Sequence, residues 1–169
     1  MRDVYELATS QWLPRLRDEV FSFFSDARNL EQITPAFLKF KVLTEGPIVM
    51  RPGALIDYRL SLHGIPLKWR TQITRWDPPR MFADVQLRGP YRQWDHTHTF
   101  EEQDGGTMVH DRILYRLPGP DLLTRAVNAL FVEPDTRTIF AHRHAALEAA
   151  MDLRGQTRSG PVTVVRARL

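Results

Sequence analysis

Two histidines stand two residues apart in the run Trp94, Asp95, His96, Thr97, His98. On an extended strand, residues i and i+2 point to the same side, so both imidazoles would share one face. The flanking runs supply a carboxylate on either side, Asp84 before and Asp111 after. A histidine held by a carboxylate is oriented and has its charged form favoured, as general acid/base work requires. His98, His96, Asp84 and Asp111 are therefore the candidate catalytic residues. The plainer reading of the same four is a cross-strand polar ladder that fixes register. No nucleophile stands out beside them, so the ladder has the stronger claim. A metal ion is a third use of such a group, but a His-x-His pair alone is a weak signal. The chain has no cysteine, and His142 and His144, two apart on a helical pattern, diverge. The sequence thus argues against a metal and implies no cofactor.

The elements that must position these residues lie between Trp69 and Tyr115. The turn signals WDPPR, GPY and QDGGT cut this stretch into four short runs of alternating character, an antiparallel meander. With Gly89, Pro90 and Tyr91 at the first bend, Phe82 faces Phe100, Asp84 faces His98, Gln86 faces His96 and Arg88 faces Trp94. With a two-residue hairpin at the Gly105–Gly106 bend, Phe100 faces Val109, His98 faces Asp111, His96 faces Ile113 and Trp94 faces Tyr115. One face then combines Phe82, Asp84, Gln86, Trp94, His96, His98, Phe100, Val109, Asp111, Ile113 and Tyr115. A one-residue slip would turn a whole strand over.

Aromatic residues with polar tips gather around this face, and an amphipathic ligand with oxygenated groups needs that mixture. The candidate ligand-binding residues are Arg59, Trp69, Arg70, Gln86, Tyr91, Trp94, His96, His98, Phe100 and Tyr115. Arg59 and Arg70 are placed there to hold a carboxylate or phenolate. Their alternative is the outer face, paired with Asp57 and Asp84. Alternation leaves this open, because Ile56, Tyr58, Leu60 and Leu62 compete for the concave side.

Around the meander, residues 3–13 read as a first strand ended by Pro14. Residues 15–26 read as a helix with Leu16, Val20, Phe23 and Phe24 on one stripe. A second short helix follows, with Asp26 as N-cap and Pro35 as its stop. Residues 36–45 and 53–63 read as strands. Residues 121–151 read as one long helix, with Leu122, Leu123, Ala126, Leu130, Ile139, Ala146 and Leu147 inward and an interruption near Pro134. The order is one strand, two short helices, six strands and a long helix, an α+β arrangement. A sheet bent around one long helix leaves a hollow suited to a small ligand.

The chain has 169 residues, the size of one domain with a full core. Its net charge is +3, and no acidic residue follows Asp152, whereas Arg154, Arg158, Arg166 and Arg168 all do. Without those four, residues 1–153 carry −1. The globular part is near neutral, which argues against nucleic-acid binding through a basic face. Residues 1–153 are read as the domain, and 154–169 as a basic tail that is either disordered or an added edge strand. No apolar run is long enough to span a bilayer, and the N-terminus lacks a signal-peptide core. A cytoplasmic protein is expected.

The phrases FFSDARNLEQITP, IDYRL, WRTQITRWDPP, FADVQLRGPYRQWDHTHTF and TIFAHR, in this order, resemble the START-like superfamily, also called the polyketide cyclase/dehydrase or SRPBCC superfamily. The resemblance covers about residues 3–150 and points to a bacterial ligand-binding branch, some relatives of which are joined to sugar-epimerase-like proteins. It implies a helix-grip fold, a curved seven-stranded antiparallel sheet around the C-terminal helix. It also implies a cavity for lipids, quinones, polyketides or other hydrophobic molecules. No universal catalytic residue transfers with it, so function must come from the site. The leading expectation is a protein that binds or carries a hydrophobic or amphipathic small molecule. One rival is an aromatase/cyclase-type enzyme using His98 or His96 with Asp84 or Asp111, and Arg70 as oxyanion holder. The other is a regulatory module that docks a protein partner.

Overall fold

The computed structural model describes residues 3–167. The expected tail residue Arg168 lies outside them. Strand β1 (Val4–Leu13) leads into helix α1 (Arg17–Ser25), a 3-10 turn (Ala27–Asn29) and the single-turn helix α2 (Leu30–Ile33). Asp26 caps this second pair, its carboxylate accepting from the Arg28 backbone N–H at 3.0 Å. The helix α1 buries Val20 and Phe21, and leaves Leu16 exposed. The helix starts one residue after Leu16, which removes that side chain from the stripe. Phe21 takes its place, edge-on to Phe82 and Phe100 at 5.9 and 5.2 Å between ring centroids.

The sheet then runs through β2 (Lys41–Val42), β3 (Leu55–Leu62), β4 (Ile65–Asp77), β5 (Met81–Arg88), β6 (Gln93–Gln103) and β7 (Gly106–Arg116). Each strand pairs antiparallel with its neighbour, and β7 closes on β1. The expected strand over 36–45 shrinks to two residues. A 3-10 turn occupies Ala36–Leu38, and Lys39 takes a left-handed backbone. Side chains then take over ladder positions: the Glu31 carboxylate accepts from Val42 N–H, and the Thr44 hydroxyl accepts from Asp57 N–H, both at 2.8 Å.

Two more strands than expected come from the tail. β8 (Arg158–Ser159) and β9 (Thr163–Ala167) both pair with β1. The alternation Thr163, Val164, Val165 lets Val164 drop into the core beside Tyr5 and Leu7 while Val165 faces water. The described sheet therefore has nine strands rather than seven.

The long helix is continuous from Asp121 to Ala150, as α3 (Asp121–Val127), a π turn (Asn128–Val132) and α4 (Glu133–Ala150). Pro134 sits in the first turn of α4. Its missing N–H would leave a gap in the ladder, and the π turn falls just before it. Leu122, Leu123 and Leu130 are exposed, against expectation. The inward positions at this end are Thr124 and Asn128, because Asn128 accepts a hydrogen bond from the buried Tyr115 hydroxyl at 2.7 Å. Among the described residues no helix is long and apolar enough to cross a membrane.

The apolar core is divided into three clusters. The first joins Leu13, Phe21, Phe82, Phe100 and Leu147, the second Leu7, Ile113, Tyr115 and Phe140, the third Ala27, Val42, Ile56, Tyr58 and Ile73. What separates them is a hollow between the concave sheet and α4.

Candidate functional site

The hollow has a volume of about 230 Å³, far above the ~10–15 Å³ that one water needs. Members of all three clusters line it: Ile33 and Phe82, Phe140, and Ala27, Ile56, Tyr58 and Ile73. Strand alternation explains which residues of β3 and β4 do so. Ile56, Tyr58, Leu60, Trp69, Thr71 and Ile73 face inward, and Asp57, Arg59 and Arg70 take the opposite side. The expected inward roles of Arg59 and Arg70 are corrected by this. Arg70 forks onto Asp57 on the outer face at 2.8 and 2.9 Å, and Arg59 is exposed.

Trp69, Tyr91 and Trp94 form an aromatic wall, with ring centroids 4.6–5.7 Å apart. The Trp69 indole N–H donates to Thr71 Oγ1 at 3.0 Å, which fixes that ring. Burial pushes the Tyr91 and Tyr58 phenols up, so both face the hollow as neutral hydroxyls at ordinary pH.

Gln86, Phe100 and Tyr115 have structural positions instead. Gln86 closes the bend after β5, donating to Tyr91 O at 2.7 Å and accepting from Tyr91 N–H at 3.3 Å. A Cβ at Gly89 would strike that amide. Phe100 is 1% exposed, in the first core cluster. Tyr115 stacks on Tyr5 with centroids 5.4 Å apart. Phe100→Ala is expected to cost about 3–5 kcal/mol in chemical denaturation and to leave ligand affinity nearly unchanged.

The polar group assembles at one end of the hollow. The β6–β7 register sets His98 opposite Asp111 and His96 opposite Ile113, as the hairpin spacing predicts. The turn residues are Asp104 and Gly105, one residue before the expected Gly105–Gly106 bend and both at positive φ, the two-residue turn that suits a hairpin's twist. Across β5–β6 the pairs are Phe82 with His98 and Asp84 with His96. This is a two-residue shift from expectation, and it preserves the faces because the side-chain period is two.

Both histidines are buried, at 7% and 5% exposure, and their rings lie 3.8 Å apart. One oxygen of Asp111 serves both: Oδ1 is 3.0 Å from His96 Nε2 and 2.6 Å from His98 Nδ1. The second contact lies off the ring's N–H axis, so it is a close ion pair without hydrogen-bond alignment. Asp84 Oδ2 lies 3.8 Å from His98 Nε2. Phe82 stacks on His98 at 4.2 Å. Burial works against charge on His98, but Asp111 and then Asp84 outweigh it and raise its pKa. Burial and the neighbouring His98 charge lower that of His96. For Asp111, burial is overcome by His98, His96 and Arg143, which hold its carboxyl well below the usual carboxylate range. One imidazolium beside one neutral imidazole is the charge state these couplings favour.

Arg143 is the residue that sequence reasoning missed. It lines the hollow from α4 and lies over the Phe140 ring at 4.9 Å. Its Nη2 is buried without a hydrogen-bond partner. Thr136, Ile139, Phe140, Arg143 and Leu147 share one helical stripe, so a charge on the inward face was legible in the spacing. His144 leaves the cluster and sits 3.2 Å from Thr9 Oγ1.

The family model for polyketide cyclase/dehydrase and lipid transport matches residues 13–141. The chain belongs to that family. Solved structures share its fold. Protein Ms6760 from Mycobacterium smegmatis is 20% identical, with a TM-score of 0.60, over 86% of this chain and 92% of that one. The protein TTHA0849 from Thermus thermophilus is 16% identical, with a TM-score of 0.63, over 86% and 98%. A nucleoside-diphosphate sugar epimerase from Corynebacterium glutamicum is 23% identical, with a TM-score of 0.61, over 86% of this chain but 29% of that one. Comparison with curated proteins gives no match. The polyketide cyclase/dehydrase family is a ligand-binding one with the START-like, helix-grip fold, and the hollow is where this member has room for a ligand.

Proposed function

We propose that the protein encloses and carries a hydrophobic or amphipathic small molecule, lipid-, quinone- or polyketide-like, whose oxygen-bearing end sits at the His96–His98–Arg143 end of the hollow. The observation that carries this reading is the combination of an apolar hollow of about 230 Å³ with one buried ionic group at its wall. Aromatic and aliphatic walls remove the ligand's body from water, at roughly 25 cal/mol per Å² of apolar surface. The partnerless Arg143 Nη2 favours an anionic or carbonyl oxygen, because a buried donor gains most from a charged acceptor.

Native mass spectrometry of the untagged protein should find a retained small molecule. A fatty acid, followed by quenching of Trp69 and Trp94 fluorescence, should bind more tightly than its methyl ester. Arg143→Leu should cut affinity for the acid about ten- to a hundredfold and spare the ester. No retained molecule and no binding of either probe would refute carriage.

A second reading, acid/base catalysis, has one observation behind it: His98 stands between two carboxylates, which favour its charged form. On that reading His98→Ala abolishes turnover while ligand binding survives. Arg70, on the outer face, does not serve as the oxyanion holder.

A further inference from the structure

We propose that Asp84, His96 and His98 form a site for a divalent first-row transition metal, zinc or ferrous iron by ligand type, with its open positions facing the hollow. The site lies at the polar end of the hollow described above, but the proposal does not require an organic ligand. Three observations lead to it.

Each of the three side chains offers one ligand atom, and these atoms lie within 4.8 Å of one another. Bonds of about 2.1 Å to a tetrahedral ion set ligand atoms about 3.4 Å apart. Each side chain would therefore move inward by less than about an ångström, within the reach of small side-chain rotations. All three residues line the hollow.

The second observation is what lies behind the rings. Asp111 engages His96 through Nε2 and approaches His98 through Nδ1. A proton on each of those nitrogens leaves His96 Nδ1 and His98 Nε2 as the unprotonated ones. His98 Nε2 is also the nitrogen nearer Asp84, at 3.8 Å. A carboxylate behind a ligating imidazole is the arrangement that orients metal-bound histidines and raises their basicity. Here Asp111 does so for His96 through a hydrogen bond, and it stands 2.6 Å from His98 Nδ1 without that alignment.

The third is charge. Asp84, Asp111 and Arg143 sum to −1 when ionised, and both histidines are neutral as ligands. A divalent ion brings the group to +1. One anionic oxygen on an open position would neutralise it, which matches the end of the hollow where a ligand's oxygen is placed. Two imidazoles and one carboxylate with open positions suit non-haem iron or catalytic zinc. The ladder reading accounts for Asp111 between the rings. Asp84 beside His98 Nε2 is a counter-charge to an imidazolium in the ladder reading, and a third ligand once a metal ion displaces that proton.

The test is cobalt titration of the untagged, chelator-stripped protein, followed by its visible absorption, with zinc competition. One equivalent of cobalt should give ligand-field bands that zinc abolishes. Asp84→Ala, His96→Ala and His98→Ala should each weaken binding at least about a hundredfold, and Asp111→Asn about ten- to a hundredfold. Circular dichroism should check that each variant is folded. Arg70→Ala, on the outer face, should leave binding unchanged. No cobalt bands from the wild-type protein at large excess would overturn the proposal without reference to any variant. So would binding that survives Asp84→Ala and His98→Ala. Ligand carriage is read separately by mass spectrometry, so either idea can fail alone.

Discussion

Asp111→Ala is expected to lower the stability of the metal-free protein by about 3–5 kcal/mol, the usual result of removing one partner from a buried pair. For a chain of this length that corresponds to a fall in Tm on the order of 10 °C. Asp111 is 8% exposed, and its Oδ1 faces both imidazoles. Without it, a buried His98 loses its nearest counter-charge and His96 its hydrogen-bond partner. Asp111→Asn keeps the shape and an acceptor oxygen, so it should cost less. The sign with pH follows from the depressed carboxyl. Its contribution is complete above the ordinary carboxylate pKa of about 3.9 and is lost as pH falls through the lower folded value. The gap between wild type and Asp111→Ala should therefore narrow in strong acid. A Tm change near zero at neutral pH would mean that the group is hydrated and loosely held.

The meander was legible because three signals agreed there: turn residues, alternation and length. The QDGGT signal located the hairpin to within one residue of its Asp104–Gly105 turn, and the expected pairing of His98 with Asp111 is the one found. The bend at Gly89 was less legible because it is closed by a side chain. No local pattern announces that the Gln86 amide will bond both backbone groups of Tyr91. The resulting slip was even, so the concave face survived it. On β3 and β4 both alternating sets contained plausible ligand groups. Tyr58 and Trp69 point inward, and Arg59 and Arg70 alternate with them. What decides between the sets is the apolar set's need for burial, roughly 1.5–3 kcal/mol per large side chain. An exposed fork such as Arg70–Asp57 is worth at most about 1 kcal/mol. Burial is the stronger effect, and it turns the strand.

Arg143 was hidden for another reason. On a long helix the eye follows the apolar stripe, and the inward stripe here also contains Thr136 and Arg143. A charge at an inward position is costly in a filled core, and it persists beside a hollow with Asp111 nearby. Polar residues on an inward face of this kind mark where packing stops. The same holds for Thr71, buried at the hollow and occupied by the Trp69 N–H.

Filling the hollow should have the largest effect on binding and little on folding. Leu60 reaches it from β3 and Ile139 from α4, so Leu60→Trp and Ile139→Trp intrude from opposite walls. In a close-packed core, adding so much volume costs about 1–3 kcal/mol or more, because neighbours leave their rotamers. Beside a hollow of about 230 Å³ the added ring finds room, and atoms that lacked partners across the gap gain contacts. Each variant should keep or raise the Tm of the ligand-free protein. Affinity for the fatty-acid probe should fall by two orders of magnitude or more, because the ligand must expel an indole that has no other place to go. Calorimetry of both variants with the probe would measure both effects. A large fall in Tm with affinity retained would mean that the three clusters meet in a filled core and that ligands bind elsewhere. Retained stability with abolished binding would place the ligand between the sheet and α4, where Arg143 and the paired histidines can reach its polar end.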